Sequence, residues 1–369
     1  MADGRPELIA FYLPQFHPIP ENDAWWGKGF TEWTNVARSH PHFPGHVQPR
    51  LPADLGFYDL RVPEVRAEQA ELAKRSGITA FCYYHYWFGG RRLLERPFDE
   101  VLASGEPDFP FLICWANENW TRRWDGQDRE VLMAQSHSED DDRRHLQALA
   151  PALADKRYYR FDGRPMVLIY RTDLLPDPRR TAEVWREEAT RLGIGEILLG
   201  RVENFGGEVA PQTIGFDFAV EFAPRWSRSL QRVYGSGPAA MLRRRGWLHD
   251  GLTENTVLSY RQLVSSMLER PTPSYPMFRC ACPSWDNSPR RKTGATIFVG
   301  ADPVLFQEWL ERLLGARPVF RDRPAPVFVN AWNEWAEGAH LEPCSVFGHA
   351  FLDAVRNASG IRSGAMSFA

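Results

Sequence analysis

The chain has 369 residues, with 47 acidic and 44 basic side chains and a formal net charge of −3. Hydrophobic residues at 43% and charged residues at 25% are the proportions of a soluble globular protein able to bury a core. The near-neutral balance excludes a broadly basic nucleic-acid binder and an acidic disordered tail, so no nucleic-acid partner is expected.

The first residues, Met1-Ala2-Asp3-Gly4-Arg5-Pro6-Glu7, show no basic region followed by an apolar one, and no run of about 18 apolar residues occurs. The expectation is a cytoplasmic protein with no membrane span. Cys82, Cys114, Cys280, Cys282 and Cys344 make no Cys-x-x-Cys and no zinc spacing, which fits a reducing compartment.

In chain order, nearly continuous apolar runs at 8–13, 78–84, 111–115, 166–170, 197–200, 218–222, 277–281 and 327–331 predict strands covered on both faces. Amphipathic stretches at 63–76, 139–154, 179–192, 253–269, 303–314 and 346–358 predict helices. The first begins at Pro63 and stops before Gly77, the usual start and stop signals. Strand–helix units in this order predict an α/β fold, a single (β/α)8 barrel spanning 1–369, with an open doubly wound sheet as the alternative. No linker, repeat or change of composition divides the chain. Segments following strands are long (14–62, 117–138, 224–252, 284–300), whereas those leading into strands are short. In a barrel the long ones gather at the C-terminal face, where active sites lie.

The eighth strand runs into Asn333-Glu334-Trp335-Ala336-Glu337-Gly338. Residues three apart face opposite sides of an extended strand but share a face once the chain turns, as Gly338 signals. Glu334 and Glu337 then converge. Two carboxylates in environments that push their pKa values apart suit glycosidic chemistry, one as acid and the other as base or nucleophile. The alternative is an ion pair between one of them and an arginine such as Arg201 or Arg279.

The third strand ends in Trp115-Ala116-Asn117-Glu118-Asn119-Trp120, polar groups beside rings that suit a sugar, or else a helix cap at Asn117 or Asn119. Glu221 sits inside the sixth apolar run, where an unpaired carboxylate is costly. It either partners a strand-borne arginine or faces the pocket, and Arg201 with Glu203 reads similarly. Gln15-Phe16-His17, His85-Tyr86-Trp87-Phe88 and Trp285-Asp286-Asn287 end other strands. His85 alone reads as a hydrogen-bonded structural histidine.

Other chemistries find little support. There is no P-loop and no nucleophile elbow. The glycines near 235–240 lie in a loop, and Asp140-Asp141-Asp142 reads as a solvated helix start. His40 and His42 lack a third ligand, and Arg243-Arg244-Arg245 reads as a solvated surface. No metal and no cofactor are expected.

Several blocks resemble the WbsX-like family: Phe11-Tyr12-Leu13-Pro14-Gln15-Phe16-His17-Pro18, Trp25-Trp26-Gly27-Lys28-Gly29-Phe30-Thr31-Glu32-Trp33, Tyr83-Tyr84-His85-Tyr86-Trp87-Phe88, and the strand-end motifs after strands three, seven and eight. The resemblance covers nearly the whole chain. That family is associated with glycosyltransfer in bacterial surface-polysaccharide (O-antigen) synthesis. It is similar in fold to the family-99 glycoside hydrolases, endo-α-mannosidases built as metal-free (β/α)8 barrels.

The resemblance implies that Glu334 is the base that activates the sugar's own 2-hydroxyl, giving a 1,2-anhydro intermediate. Glu337 would be the acid that protonates the leaving oxygen and later the base that activates water, with anomeric configuration retained. Ala336 stands where the hydrolases carry a histidine, a departure that bears on sugar specificity and leaves the carboxylate pair intact. Gln15, His17, Trp26, Glu32, Trp33, His85, Tyr86, Trp87, Trp115, Asn117, Glu118, Trp120, Arg201, Glu221, Trp285, Asp286, Asn333 and Trp335 are the expected substrate-binding residues.

The expected activity is a retaining, endo-acting glycoside hydrolase or transglycosylase whose partner is an oligosaccharide or polysaccharide. A glycosyltransferase using an activated donor and a non-catalytic glycan-binding module are the alternatives. Most of the 14 tryptophans fall on predicted strand ends or the loops after them: Trp25, Trp26, Trp33, Trp87, Trp115, Trp120, Trp124, Trp226, Trp285, Trp332 and Trp335. They are therefore candidate stacking platforms for sugar rings.

Overall fold

Apolar runs without a polar face must be covered on both sides, and eight of them line up as parallel strands around a ring. They are β1 (Leu8–Tyr12), β2 (Ala80–Phe88), β3 (Phe111–Trp115), β4 (Arg164–Ile169), β5 (Leu198–Glu203), β6 (Phe218–Glu221), β7 in two pieces (Met277–Phe278 and Cys280–Ala281) and β8 (Val327–Val329). The computed structural model describes residues 6–122, 127–203, 207–225, 230–234, 241–242 and 245–360. Trp124, Trp226, residues 235–240, Arg243 and Arg244 lie outside them.

Neighbouring strands pair in sequence order from β1 to β6. The break at Arg279 divides β7 between two partners: Met277–Phe278 pairs with β6, and Cys280–Ala281 pairs with β8. Leu8 then lies opposite Val327, so β8 joins β1 and the ring closes. This closure makes the fold a (β/α)8 barrel and excludes the open doubly wound sheet. Phe11 fills the interior, 5.6 Å from Tyr84, 5.9 Å from Phe222 and 5.5 Å from Phe328 between ring centres.

The helices are α1 (Pro20–Trp26), α2 (Glu32–Arg38), α3 (Pro63–Ser76), α4 (Arg96–Ser104), α5 (Glu139–Ala154), α6 (Pro178–Arg191), α7 (Asp250–Glu254), α8 (Tyr260–Leu268), α9 (Pro303–Gly315) and α10 (Ala350–Ser359). The β5–β6 connection carries a 3-10 turn, Pro211–Ile214, among its described residues, so one of the expected strand–helix units has no α-helix there.

The helix expected over 253–269 is interrupted. α7 ends early, Thr256–Ser259 forms a strand, and the Ser259 hydroxyl caps α8. β-branched Thr256 and Val257 favour the strand, which pairs in parallel with Thr296–Val299 inside the segment expected to be a loop. The loop expected over 117–138 holds a hairpin of Trp120–Arg122 and Gln127–Met133. All five cysteines are buried and free. No helix among the described residues is long and apolar enough to cross a membrane.

Candidate active site

The C-terminal ends of the strands open onto a cavity of about 650 Å³. Its wall includes Gln15 after β1, Trp26 on α1, Tyr84 and Tyr86 on β2, and Glu118 and Trp120 after β3. Tyr170 and Arg171 after β4, Phe222 after β6, Trp285, Asn287, Arg290 and Arg291 after β7, and Glu334 and Glu337 after β8 complete the ring of contributors. Each enters from the strand face at which barrel enzymes place their chemistry.

The turn bearing the two glutamates is held by the residues between and around them. Asn333 clasps the Leu13 backbone, accepting from its N–H at 2.7 Å and donating to its carbonyl at 3.0 Å. Trp335–Glu337 then form a 3-10 turn, ended by Gly338 at φ +62°. A Cβ at Gly338 would lie 3.0 Å from the Asp286 nitrogen, so glycine is required both for the left-handed backbone and for the close approach. The Asp286 N–H donates to the Glu337 carbonyl at 2.6 Å, locking the turn onto the β7 loop.

One guanidinium organises the carboxylates. Arg290 reaches Glu334 at 3.1 Å, Glu337 at 2.7 Å and the buried Glu32 at 3.3 Å. Burial pushes Glu334 up to about 8, with help from the negative charges of Glu337 and Glu32, while Arg290 opposes the shift. This environment favours the protonated form of Glu334 near neutrality. The alternative partners, Arg201 and Arg279, are committed elsewhere. Across the cavity Arg171 pairs with Glu118 and Asp173, each at 2.8 Å, and Asn117 brackets its backbone from both sides.

Of the expected site residues, the structure brings Gln15, Trp26, Tyr86, Glu118, Trp120, Trp285, Glu334 and Glu337 to the cavity wall. The others lie behind it, buried among core and loop residues. His17 is buried, and burial lowers it to about 4, so it is neutral. Glu32 reaches the site only through Arg290. Trp33 donates to the Tyr58 carbonyl at 2.7 Å.

His85 contacts His145 at 3.0 Å, and burial lowers it to about 3; Trp87 stacks on His145 at 4.7 Å and donates to Asp141. Trp115 packs against His145 and Trp185. Arg201 bonds the carbonyls of Gly207 and Val209 beside Glu203. Glu221 does partner a strand-borne arginine, Arg279 at 2.8 Å, together with Arg270 at 3.0 Å. Burial raises Asp286, but the bond with His46 at 2.7 Å and the charge of Arg50 bring it down to about 2, and Gln48 donates to it at 2.7 Å. Asn333 braces Leu13, and Trp335 donates to Glu342 at 2.6 Å.

Among the tryptophans, Trp87, Trp115, Trp332 and Trp335 are thus core beneath the mouth, while Trp26, Trp120 and Trp285 face the cavity. Sequence reasoning missed Tyr84, Tyr170, Arg171 and Arg290. Arg290 alone had a signal, since it follows Trp285-Asp286-Asn287 within one turn. No group of three or more potential metal ligands occurs among the described residues.

The sequence profile described as Glycosyltransferase WbsX matches residues 8–355. The chain belongs to the WbsX glycosyltransferase family. It is 49% identical over 354 residues to the uncharacterized protein WxcX of Xanthomonas campestris pv. campestris, covering 95% of this chain and 49% of WxcX. A second strain's WxcX is 48% identical with the same coverage. The chain spans about half the length of these curated relatives.

Among solved structures, a glycoside hydrolase-like protein superposes with a TM-score of 0.60 at 15% identity, over 97% of this chain and 95% of that one. The family-99 endo-α-mannosidase of Bacteroides thetaiotaomicron superposes with a TM-score of 0.56 at 14% identity, over 96% of each chain. At such identities the likeness is one of fold.

Proposed function

We propose that this WbsX-family chain cleaves or transfers glycosidic bonds with retention of configuration, using Glu334 and Glu337 on a bacterial oligosaccharide or polysaccharide. The observation that carries the reading is that both carboxylates face one cavity at the C-terminal end of the barrel and share one arginine. In this scheme Glu337 protonates the leaving oxygen while the sugar's 2-hydroxyl gives its proton to Glu334 and its oxygen attacks the anomeric carbon. The C1–leaving-group bond breaks and a 1,2-anhydro sugar forms. Water, or an acceptor hydroxyl, then attacks C1, giving its proton to Glu337, while the C1–O2 bond breaks and Glu334 returns its proton to the 2-oxygen. Trp26, Trp120 and Trp285 supply faces on which sugar rings stack.

A glycan-library screen, with products followed by mass spectrometry and anomeric NMR, tests this. Glu334→Gln and Glu337→Gln should each abolish turnover and keep sugar binding; full activity in either variant refutes the assignment. Two observations favour second readings. The proton held on Glu334 favours the reverse order of roles, with Glu334 as acid. An aryl glycoside with a good leaving group separates the two, because it rescues only the variant lacking the acid. The family description favours transfer from an activated donor, for which calorimetric binding of a nucleotide sugar is the test.

A further inference from the structure

Eight residues beyond Glu334 lies a carboxylate that the scheme above does not use. Glu342 is 2% exposed, and everything that touches its oxygens donates. The Trp335 indole N–H reaches Oε2 at 2.6 Å, the Tyr58 hydroxyl reaches the same oxygen at 2.7 Å, and the Gln69 amide of α3 reaches Oε1 at 2.6 Å. The outer layer has a fixed direction too, because the Gln69 carbonyl oxygen already accepts from the Tyr12 hydroxyl at 2.7 Å. Trp335 lies between the two cavity glutamates, so the residue that seats its ring also sets where they point.

We propose that Glu342 is a positioning residue whose carboxylate, as an acceptor for Trp335, Tyr58 and Gln69, holds the turn that carries Glu334 and Glu337 into the cavity. The role follows from hydrogen-bond direction. An ionised carboxylate satisfies all three donors. A protonated one must donate to something, yet neither the indole N–H nor the Gln69 N–H that faces it can accept. Only the Tyr58 hydroxyl can reverse, and the neutral carboxyl is then a weaker acceptor for Trp335. Protonation therefore loosens the seat of Trp335.

Burial raises Glu342 to about 7, against the bonds from Trp335, Tyr58 and Gln69, which placed the change near neutrality. Glu334, one residue from Trp335, is raised to about 8 and changes state in an adjoining range, while the remaining titratable groups facing this network stay in one state. Burial holds the Tyr12 and Tyr58 phenols well above their ordinary values and His340, stacked on Trp335 at 3.8 Å, well below its own. Arg66 of α3 is committed to the Leu60 carbonyl and Glu100.

The inference rests on Glu334 and Glu337 being the reacting pair, but the seat itself can be read without substrate. In ¹⁵N-labelled full chain, the Trp335 indole N–H resonance, assigned by its loss in Trp335→Phe, should show a titration step with its midpoint near pH 7 that persists in Glu334→Gln. In Glu342→Gln that titration should vanish. On a glycan cleaved by the unaltered chain, kcat should fall roughly 10²-fold, the scale of a misplaced catalytic group, with little change in KM. Glu342→Asp should restore part of the loss.

A Trp335 titration that is unchanged in Glu342→Gln, or a Glu342→Gln variant with unaltered kcat and pH profile, overturns the proposal. Should Glu342→Gln fail to fold, the titration of the unaltered chain and the behaviour of Glu342→Asp decide it. If the unaltered chain cleaves no glycan, the functional reading fails, and the resonance alone judges the seat.

Discussion

Arg290 is the cation on which the candidate site turns, and its removal has a calculable cost. Arg290→Met keeps much of the side chain's volume but leaves Glu32, Glu334 and Glu337 facing one another without the charge that bridges them. Breaking a buried ion pair by deleting one partner costs about 3–5 kcal/mol. Unfolding entropy of about 2.1 cal/mol/K per residue gives roughly 0.8 kcal/mol/K for 369 residues, so Tm should fall by about 4–6 °C at pH 8.

The loss also has a definite pH dependence. Without Arg290, whose charge opposes the shift, the Glu334 carboxyl titrates still further above its unfolded value, so the folded state binds more protons than the unfolded one. Stability then falls as pH rises through the window from the unfolded carboxylate range to beyond the folded value of about 8 for Glu334. The variant's deficit should therefore be small at pH 5 and full at pH 8. Differential scanning fluorimetry at both pH values checks this. An equal deficit at the two, or none at pH 8, refutes the reasoning.

Three other outcomes are expected. As the base, Glu334 must lose its proton, so kcat/KM should rise as pH climbs through about 8; a fall over that range makes Glu334 the acid. Trp120 stands against Trp25, Tyr86 and Phe88 at the cavity wall, and Trp120→Ala should weaken glycan binding by about 0.5–1.5 kcal/mol in calorimetry. An unchanged Kd removes Trp120 from the binding surface. A Cβ at Gly200 would lie 2.4 Å from the Phe218 ring and 2.5 Å from Leu168, so Gly200→Ala should cost about 1–3 kcal/mol through overpacking. A melt identical to that of the unaltered chain contradicts the packing described between β4, β5 and β6.

The barrel was legible because its strands are covered on both faces and so read as uninterrupted apolar runs. Convergence of Glu334 and Glu337 was legible because Gly338 announced the turn. What stayed hidden depended on partners distant in sequence. The strand at Thr256–Ser259 exists because Thr296–Val299 pairs with it, and two β-branched residues, Thr256 and Val257, are too short a local signal to separate it from the helical stretch around it. Strand-end tryptophans gave a location but not a direction: Trp120 and Trp115 flank one motif, and one faces the cavity while the other packs on His145. Polar residues within apolar runs were similarly ambiguous, and Glu221 proved to be held by two arginines.

The site is assembled across the seam where the ring closes. Arg290 follows β7, Glu334 and Glu337 follow β8, and Glu32 belongs to the excursion after β1, 258 residues away from Arg290. Such a contact closes a loop that spans most of the chain. Before the first strand meets the last, Arg290, Glu334 and Glu337 can lie together on neighbouring strands, but Glu32 is missing beside them and Asn333 has no Leu13 backbone to clasp. Ring closure is thus also what completes this constellation.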